Sequence, residues 1–149
     1  MKRYSLANHV LSIKPNDNQI NNIFGTISIG GEGNYLESVS VSNDNTLWST
    51  TGYATGAWVH NKNLAKTGTV TISLNQLSDQ VAKLITLCET YYGGDYEGFT
   101  LTLTKNDNTK ICTCIDCYIS KIPTQDFGTS AANQSWVFTC GKITFNYNT

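Results

Sequence analysis

Thr67-Gly68-Thr69-Val70-Thr71-Ile72-Ser73-Leu74 alternates hydroxyl-bearing and apolar residues almost without a break. Side chains on a strand point to opposite faces in turn, so this pattern predicts a strand with one face buried and one face polar. The same period recurs on either side. Phe99, Leu101 and Leu103 alternate with Thr100, Thr102 and Thr104. Val39 and Val41 alternate with Ser38, Ser40 and Ser42, and Ile27 and Ile29 with Thr26 and Ser28. Residues 111–119 and 136–147 read as longer β runs, with Gly141 expected to mark a bulge in the second. The expected fold is mainly β: an antiparallel barrel or sandwich of about six to eight strands.

One segment breaks the period. Val81, Leu84, Ile85, Cys88 and Tyr92 recur at helical spacing after Ser78, a good N-cap, with Asp79 at the positive end of the dipole. Gly93-Gly94 supplies a stop. A single helix is therefore expected to flank or plug the β structure. Asn-Asp-Asn occurs at 16–18, 43–45 and 106–108, each time between β-like runs, and reads as three turns. The third is expected to close a hairpin between 99–104 and 110–120. No such loop continues into the glycine and distal glutamate of an EF-hand. Residues 43–63 hold Trp48, Tyr53 and Trp58 with Gly52 and Gly56 and little clean periodicity. They read as a hairpin or extended arm on a single domain spanning 1–149, and loops this long usually carry function.

Composition narrows the class. Charged residues are 14% of the 149 residues, against about 25% in ordinary soluble domains, and the net charge is −1. A sparsely charged, nearly neutral surface favours association over repulsion. It argues against a nucleic-acid grip, which needs clustered Lys and Arg. No apolar run approaches the roughly 20 residues that cross a bilayer. The N-terminal stretch has basic residues but no apolar h-region, so a secretory signal is not expected. Five cysteines, an odd count without such a signal, argue for reduced, buried thiols over a disulfide framework.

The outward faces of the strands carry the most information. Monomeric sheet proteins commonly place charges there and guard their edges with Lys or Pro. Here Ser38, Ser40, Thr69, Thr71, Thr100 and Thr102, with Thr26 and Ser28 on a fourth run, stand in those positions. One such run reflects only the β propensity of Thr. Four runs, together with the low charge, point to sheets that continue between subunits or to the wall of an uncharged channel.

Catalytic and metal constellations are poor. His9 and His60 are the only histidines, and neither adjoins a nucleophile; no G-x-S-x-G, HExxH, P-loop or GxGxxG is present. Asp95 and Glu97 follow Gly93-Gly94 in a loop, with no defined separation across a cleft. Cys112, Cys114 and Cys117, with Cys140 later, are weak zinc candidates. Strict strand parity turns Cys117 away from Cys112 and Cys114, so convergence would require a bulge. Neither a metal nor a cofactor is expected. Trp48, Trp58 and Trp136 offer an alternative reading as a sugar-binding platform on a β-sandwich, although Trp136 alternates as a core residue.

The stretch Gly56-Ala57-Trp58-Val59-His60-Asn61-Lys62-Asn63-Leu64-Ala65-Lys66-Thr67-Gly68-Thr69-Val70-Thr71-Ile72, continuing through Ser73-Leu74-Asn75-Gln76-Leu77-Ser78 into the helix, resembles the tail-tube proteins of contractile-tailed phages. That resemblance covers the centre of the chain; the cysteine-rich strand departs from it. It implies a non-enzymatic, barrel-like domain with a flanking helix, six of which close a ring and stack into a hollow tube inside a sheath. The tube would carry DNA or an effector. The implied partners are further copies of the chain, sheath, baseplate and terminator proteins, and a tape-measure protein or DNA passing through. The implied location is a virion tail or a secreted phage-tail-like particle, including bacteriocins, assembled in the bacterial cytoplasm. Ser38, Ser40, Thr69, Thr71, Thr100 and Thr102 would then face the lumen. Leu47, Trp48, Tyr53 and Trp58 would stack ring on ring, and Asp79, Lys83, Thr86 and Glu89 would face the sheath. An initiator or terminator ring of the same fold is a neighbouring alternative.

Overall fold

The structure is a computed structural model and describes residues 3–31, 34–105 and 109–148. After a 3-10 turn at Leu6–Asn8 come β1 (His9–Pro15), α1 (Asn18–Phe24), β2 (Ile27–Gly30) and β3 (Leu36–Asn43). Next are β4 (Trp48–Gly52), β5 (Trp58–Lys62), β6 (Gly68–Asn75) and α2 (Gln80–Tyr92). β7 (Phe99–Lys105), β8 (Lys110–Ile119) and β9 (Asn133–Asn148) follow. Seven strands form one curled antiparallel sheet in the order β2-β1-β7-β8-β9-β6-β3. β4 and β5 pair separately. The architecture is thus a half-barrel, with open edges at β2 and β3.

Alternation explains the strands. Along β6, Gly68, Val70, Ile72 and Leu74 are buried while Thr69, Thr71, Ser73 and Asn75 are not. β7 buries Phe99, Leu101 and Leu103 in the same way. These apolar faces meet Val81, Leu84 and Leu87 of α2 in one core, with Trp136 and Phe138 of β9 wholly buried. Each large side chain so enclosed contributes about 1.5–3 kcal/mol.

The helix on this face begins as the sequence predicts. The Ser78 hydroxyl accepts the Gln80 N–H at 3.3 Å, and Asp79 makes no side-chain cap. The buried stripe differs from expectation at two places. Leu87 joins it, and Tyr92 leaves it, being 91% exposed, because the helix ends at that residue beyond the sheet.

A second helix, α1, stands where a turn was expected at 16–18. The Asp17 carboxylate accepts the Gln19 N–H at 3.0 Å, which makes it an N-cap. Ile20 then buries against the sheet and Phe24 packs beside it, at the i, i+4 spacing of one helical face. Gly25 ends the helix at φ 64, donating to the Asn21 carbonyl. The predicted turn at 106–108 lies outside the described residues, although β7 and β8 do pair as a hairpin.

The bulge expected at Gly141 is present on one side only. Against β8, β9 runs in unbroken register from Cys112↔Phe145 to Ile119↔Phe138. On the β6 side the register of Gly68↔Cys140 gives way to the Ile143 N–H bond to the Lys66 carbonyl, one residue out of step, so β9 carries an extra residue around Gly141. Against β7 the register slips between Leu101↔Cys114 and Phe99↔Cys117, which leaves one extra residue on β8. Asp116, at φ 56, is the only described non-glycine residue with positive φ and accommodates that slip. Gly98 lies so close that a Cβ there would come within 2.6 Å of the Asp116 carboxylate. The inside–outside alternation then shifts in both strands at once. Cys114 is followed by buried Cys117, and Cys140 by buried Ile143.

Candidate functional site: a hydroxyl face and an aromatic arm

The shift at Asp116 overturns the expected placement of Cys117. It faces the core together with Cys112, Cys114 and Cys140, and all four are free and buried. Hydrogen bonds to Cys112 and Cys140, then burial, push the Cys114 thiol far up. A hydrogen bond to Cys140, then burial, does the same to Cys117. The same hydrogen bonds lower Cys112 and Cys140, so the four thiols are tied to one another within the core. No group of three or more His, Cys, Asp or Glu among the described residues is placed to hold a metal ion.

Opposite the core, hydroxyls run in rows across the sheet. Ser28 pairs with Ser12, Ser12 with Thr102, Thr102 with Thr113, and Thr113 with Thr144, so one row crosses β2, β1, β7, β8 and β9. A second links Ser42, Thr69 and Thr139 across β3, β6 and β9. A third links Ser38, Ser73 and Ser135. Ser40 stands opposite Thr71, and Thr100 opposite Lys14. All six sequence-named positions, Ser38, Ser40, Thr69, Thr71, Thr100 and Thr102, thus lie on the face turned away from α2. Thr113, Ser135, Thr139 and Thr144 extend that face. They lie in the two long runs whose parity shifts at the kink, so alternation alone does not assign them.

The arm is built differently. β4 and β5 pair Trp48 with Lys62, Thr50 with His60, and Gly52 with Trp58, so both tryptophans and His60 share one face. Every residue of both strands is exposed, Trp48 by 58% and Trp58 by 66%. Leu47 and Tyr53 at the ends of the hairpin are exposed too. Local bonds hold it: His60 Nδ1 to the Thr50 hydroxyl at 2.9 Å, Lys62 Nζ 5.7 Å from the Trp48 ring centroid, and Tyr53 N–H to the Ala57 carbonyl. At its base, Asp44 N–H and the Asn45 amide both donate to Thr67, tying the arm to β6. A lone two-stranded hairpin is marginal in water, so two exposed tryptophans on one such face mark a surface made to be covered. Trp136 is not part of it. Its ring is wholly buried and its indole N–H donates to Gln134 Oε1 at 3.3 Å, so no three-tryptophan sugar platform exists.

On α2, Asp79, Lys83, Thr86 and Glu89 are all exposed. The Thr86 hydroxyl is turned back onto the Ala82 carbonyl at 2.9 Å. Beside the end of α2, Tyr91 donates its hydroxyl to the Glu97 carbonyl at 2.9 Å. Burial, then the charges of Asp17, Tyr118 and Glu97, push Tyr91 up to about 12.

The family model described as Bacteriophage PhiTE tail tube protein matches residues 10–147. The chain belongs to that family of phage tail tube proteins. Its fold is also that of known injection machines. A chain of the sheath–tube complex of an extracellular contractile injection system, PVC, superposes with a TM-score of 0.55 at 13% identity, covering 97% of this chain and 92% of that one. The sheath/tube terminator of the same system gives 0.56 at 11%, covering 98% of both chains. The tube-terminating cap of the anti-feeding prophage gives 0.54 at 11%, covering 99% and 94%. No curated protein matches by sequence. Tail tube proteins are structural, and this member is a structural protein of the tail tube and not an enzyme.

Proposed function

We propose that the chain is the repeating subunit of the inner tube of a contractile phage tail or phage-tail-like particle. Copies close a sixfold ring, the symmetry imposed on the structurally similar anti-feeding prophage baseplate, and the rings stack into a hollow conduit. One observation carries this reading: rows of hydroxyls, interrupted by Val10, Lys14 and Val137, cover one face of a curled sheet whose two edges, β2 and β3, are open. β3 is eight residues long and Glu37 is its only charged residue, so it lacks the usual protection against pairing. Pairing β3 of one copy with β2 of the next removes both edges and continues the hydroxyl rows around a channel.

In that channel Ser38, Ser40, Thr69, Thr71, Thr100 and Thr102 face the lumen. Scarce cations there leave little to hold phosphates, so DNA, a tape-measure protein or an effector slides through without being gripped. Leu47, Trp48, Tyr53 and Trp58 of the arm at 43–63 stack ring on ring, and the whole chain acts as one unit. Asp79, Lys83, Thr86 and Glu89 on α2 face the sheath. Baseplate and terminator rings cap the ends, and assembly takes place in the bacterial cytoplasm before the tube joins the tail.

Negative-stain microscopy of the purified protein at high concentration tests this. Hollow rods of stacked rings support the reading, and a monomer at every concentration refutes it. Single rings that never stack favour an initiator or terminator component, a reading motivated by the equal likeness to the terminator chain. The Trp48→Ala/Trp58→Ala double variant should stay folded and lose the rods; unchanged rods would refute the arm's role.

A further inference from the structure

Two clefts of opposite character lie on this one chain. The first, of about 360 Å³, sits at the base of the arm and is lined by Leu47, Trp48, Lys62, Leu64, Lys66 and Lys142. Three of the chain's ten basic residues gather here around apolar side chains, and Leu64 is 79% exposed. The Lys66 carbonyl accepts the Ile143 N–H, which fixes the backbone and leaves its side chain outside the ladder. The second is a pair of adjoining clefts where β1 ends and β7 begins. They share Asn16, Asp95, Tyr96 and Glu97, with Asp17 on one side and Asp116 on the other. Four of the eleven acidic residues therefore face one region. No lysine or arginine lines it.

The two surfaces have no residue in common. A chain with so few charges has concentrated seven of them, by sign, in two places. We propose that the lysine-rimmed arm base of one copy seats in the carboxylate-lined cleft of a second copy, head to tail. The observations that favour a second copy over another protein are the charge complementarity within one sequence and the continuity of the basic cleft with the arm through Trp48 and Lys62. The inference rests on the tube reading and names the surface that receives the arm. A heterologous contact of this kind passes from copy to copy, closing a ring or extending a filament according to the rotation it imposes. The apolar side chains Trp48 and Leu64 supply buried area, and the charges set register and rate.

Charge reversal tests it. Lys66→Glu/Lys142→Glu and, separately, Asp95→Lys/Glu97→Lys are purified and checked for a native monomer by circular dichroism. Each should raise the concentration needed for polymer at least tenfold. An equimolar mixture of the two variants, or one chain carrying all four changes, should recover polymer at near the native concentration, because every contact again pairs opposite signs. Native polymerisation by either variant overturns the inference, as does failure of both the mixture and the quadruple variant to recover. The unmodified protein, run alongside, separates the two levels. If it forms no polymer, the tube reading itself fails; if it polymerises while the reversals have no effect, only this contact fails.

Discussion

The curled sheet and the arm are both antiparallel β structure, yet they spend their large side chains in opposite ways. Trp136 and Phe138 on β9 are wholly buried against α2. Trp48 and Trp58 on the arm are more than half exposed and lie outside the buried core. A sheet with a helix on one face satisfies itself as a monomer, whereas a two-stranded hairpin with bare tryptophans does not. Stability is thus built into the sheet, and the proposed function gives assembly to the arm and to the sheet's open rims.

The largest test of that division replaces tryptophans in each region. Trp136→Ala should cost about 3–5 kcal/mol and leave most of the chain unfolded at 37 °C, because it empties the centre of the core. Trp58→Ala should change monomer stability by less than about 0.5 kcal/mol in urea denaturation while impairing assembly. Similar losses from the two variants would erase the distinction.

Glycines sharpen it at lower amplitude. A Cβ at Gly68, on β6, would collide with Ile143 and with the Ser42 carbonyl, so Gly68→Ala should cost about 1–3 kcal/mol. A Cβ at Gly52, on the arm, meets nothing within 4 Å, and Gly52→Ala should be nearly neutral by the same assay. At the edge of the packed region, Asp17→Ala removes the cap of α1 and should cost about 1 kcal/mol.

The smallest effect appears in alkali. Tyr91 is raised to about 12 when folded and titrates near 10 when unfolded. The folded state therefore keeps a proton that the unfolded state loses. The associated stability is intact below pH 10 and declines as the pH rises from 10 toward 12. Tyr91→Phe should flatten that decline in thermal melts, leaving a slope from Cys114 and Cys117, whose folded titrations are also raised.

Much of this was legible because hydroxyl–apolar alternation is a direct record of which face meets the core. β6, β7 and β3, and the six hydroxyl positions on them that face away from α2, follow from period two alone. α2 follows from its spacing, apart from Leu87, which falls on the same face, and Tyr92, which keeps the spacing yet stands exposed as the last residue of the helix. α1 was hidden because Asn16-Asp17-Asn18 suits a turn and a helix cap equally, and only the packing of Ile20 decides between them. Asp116 was hidden for another reason. A left-handed aspartate leaves no mark in the periodicity except the three-residue step from Cys114 to Cys117, which can be read as a change of face. The acidic cleft joins residues 16–17, 95–97 and 116, and no sequence window contains all of them.

A density map of the assembled protein, at a resolution that traces side chains, tests the central claim most directly. The account predicts Thr71 and Thr102 on the channel wall, α2 on the outside, and β3 of each copy laid against β2 of its neighbour. A channel lined by α2 or by the arm tryptophans, with β2 and β3 left unpaired between copies, would contradict it.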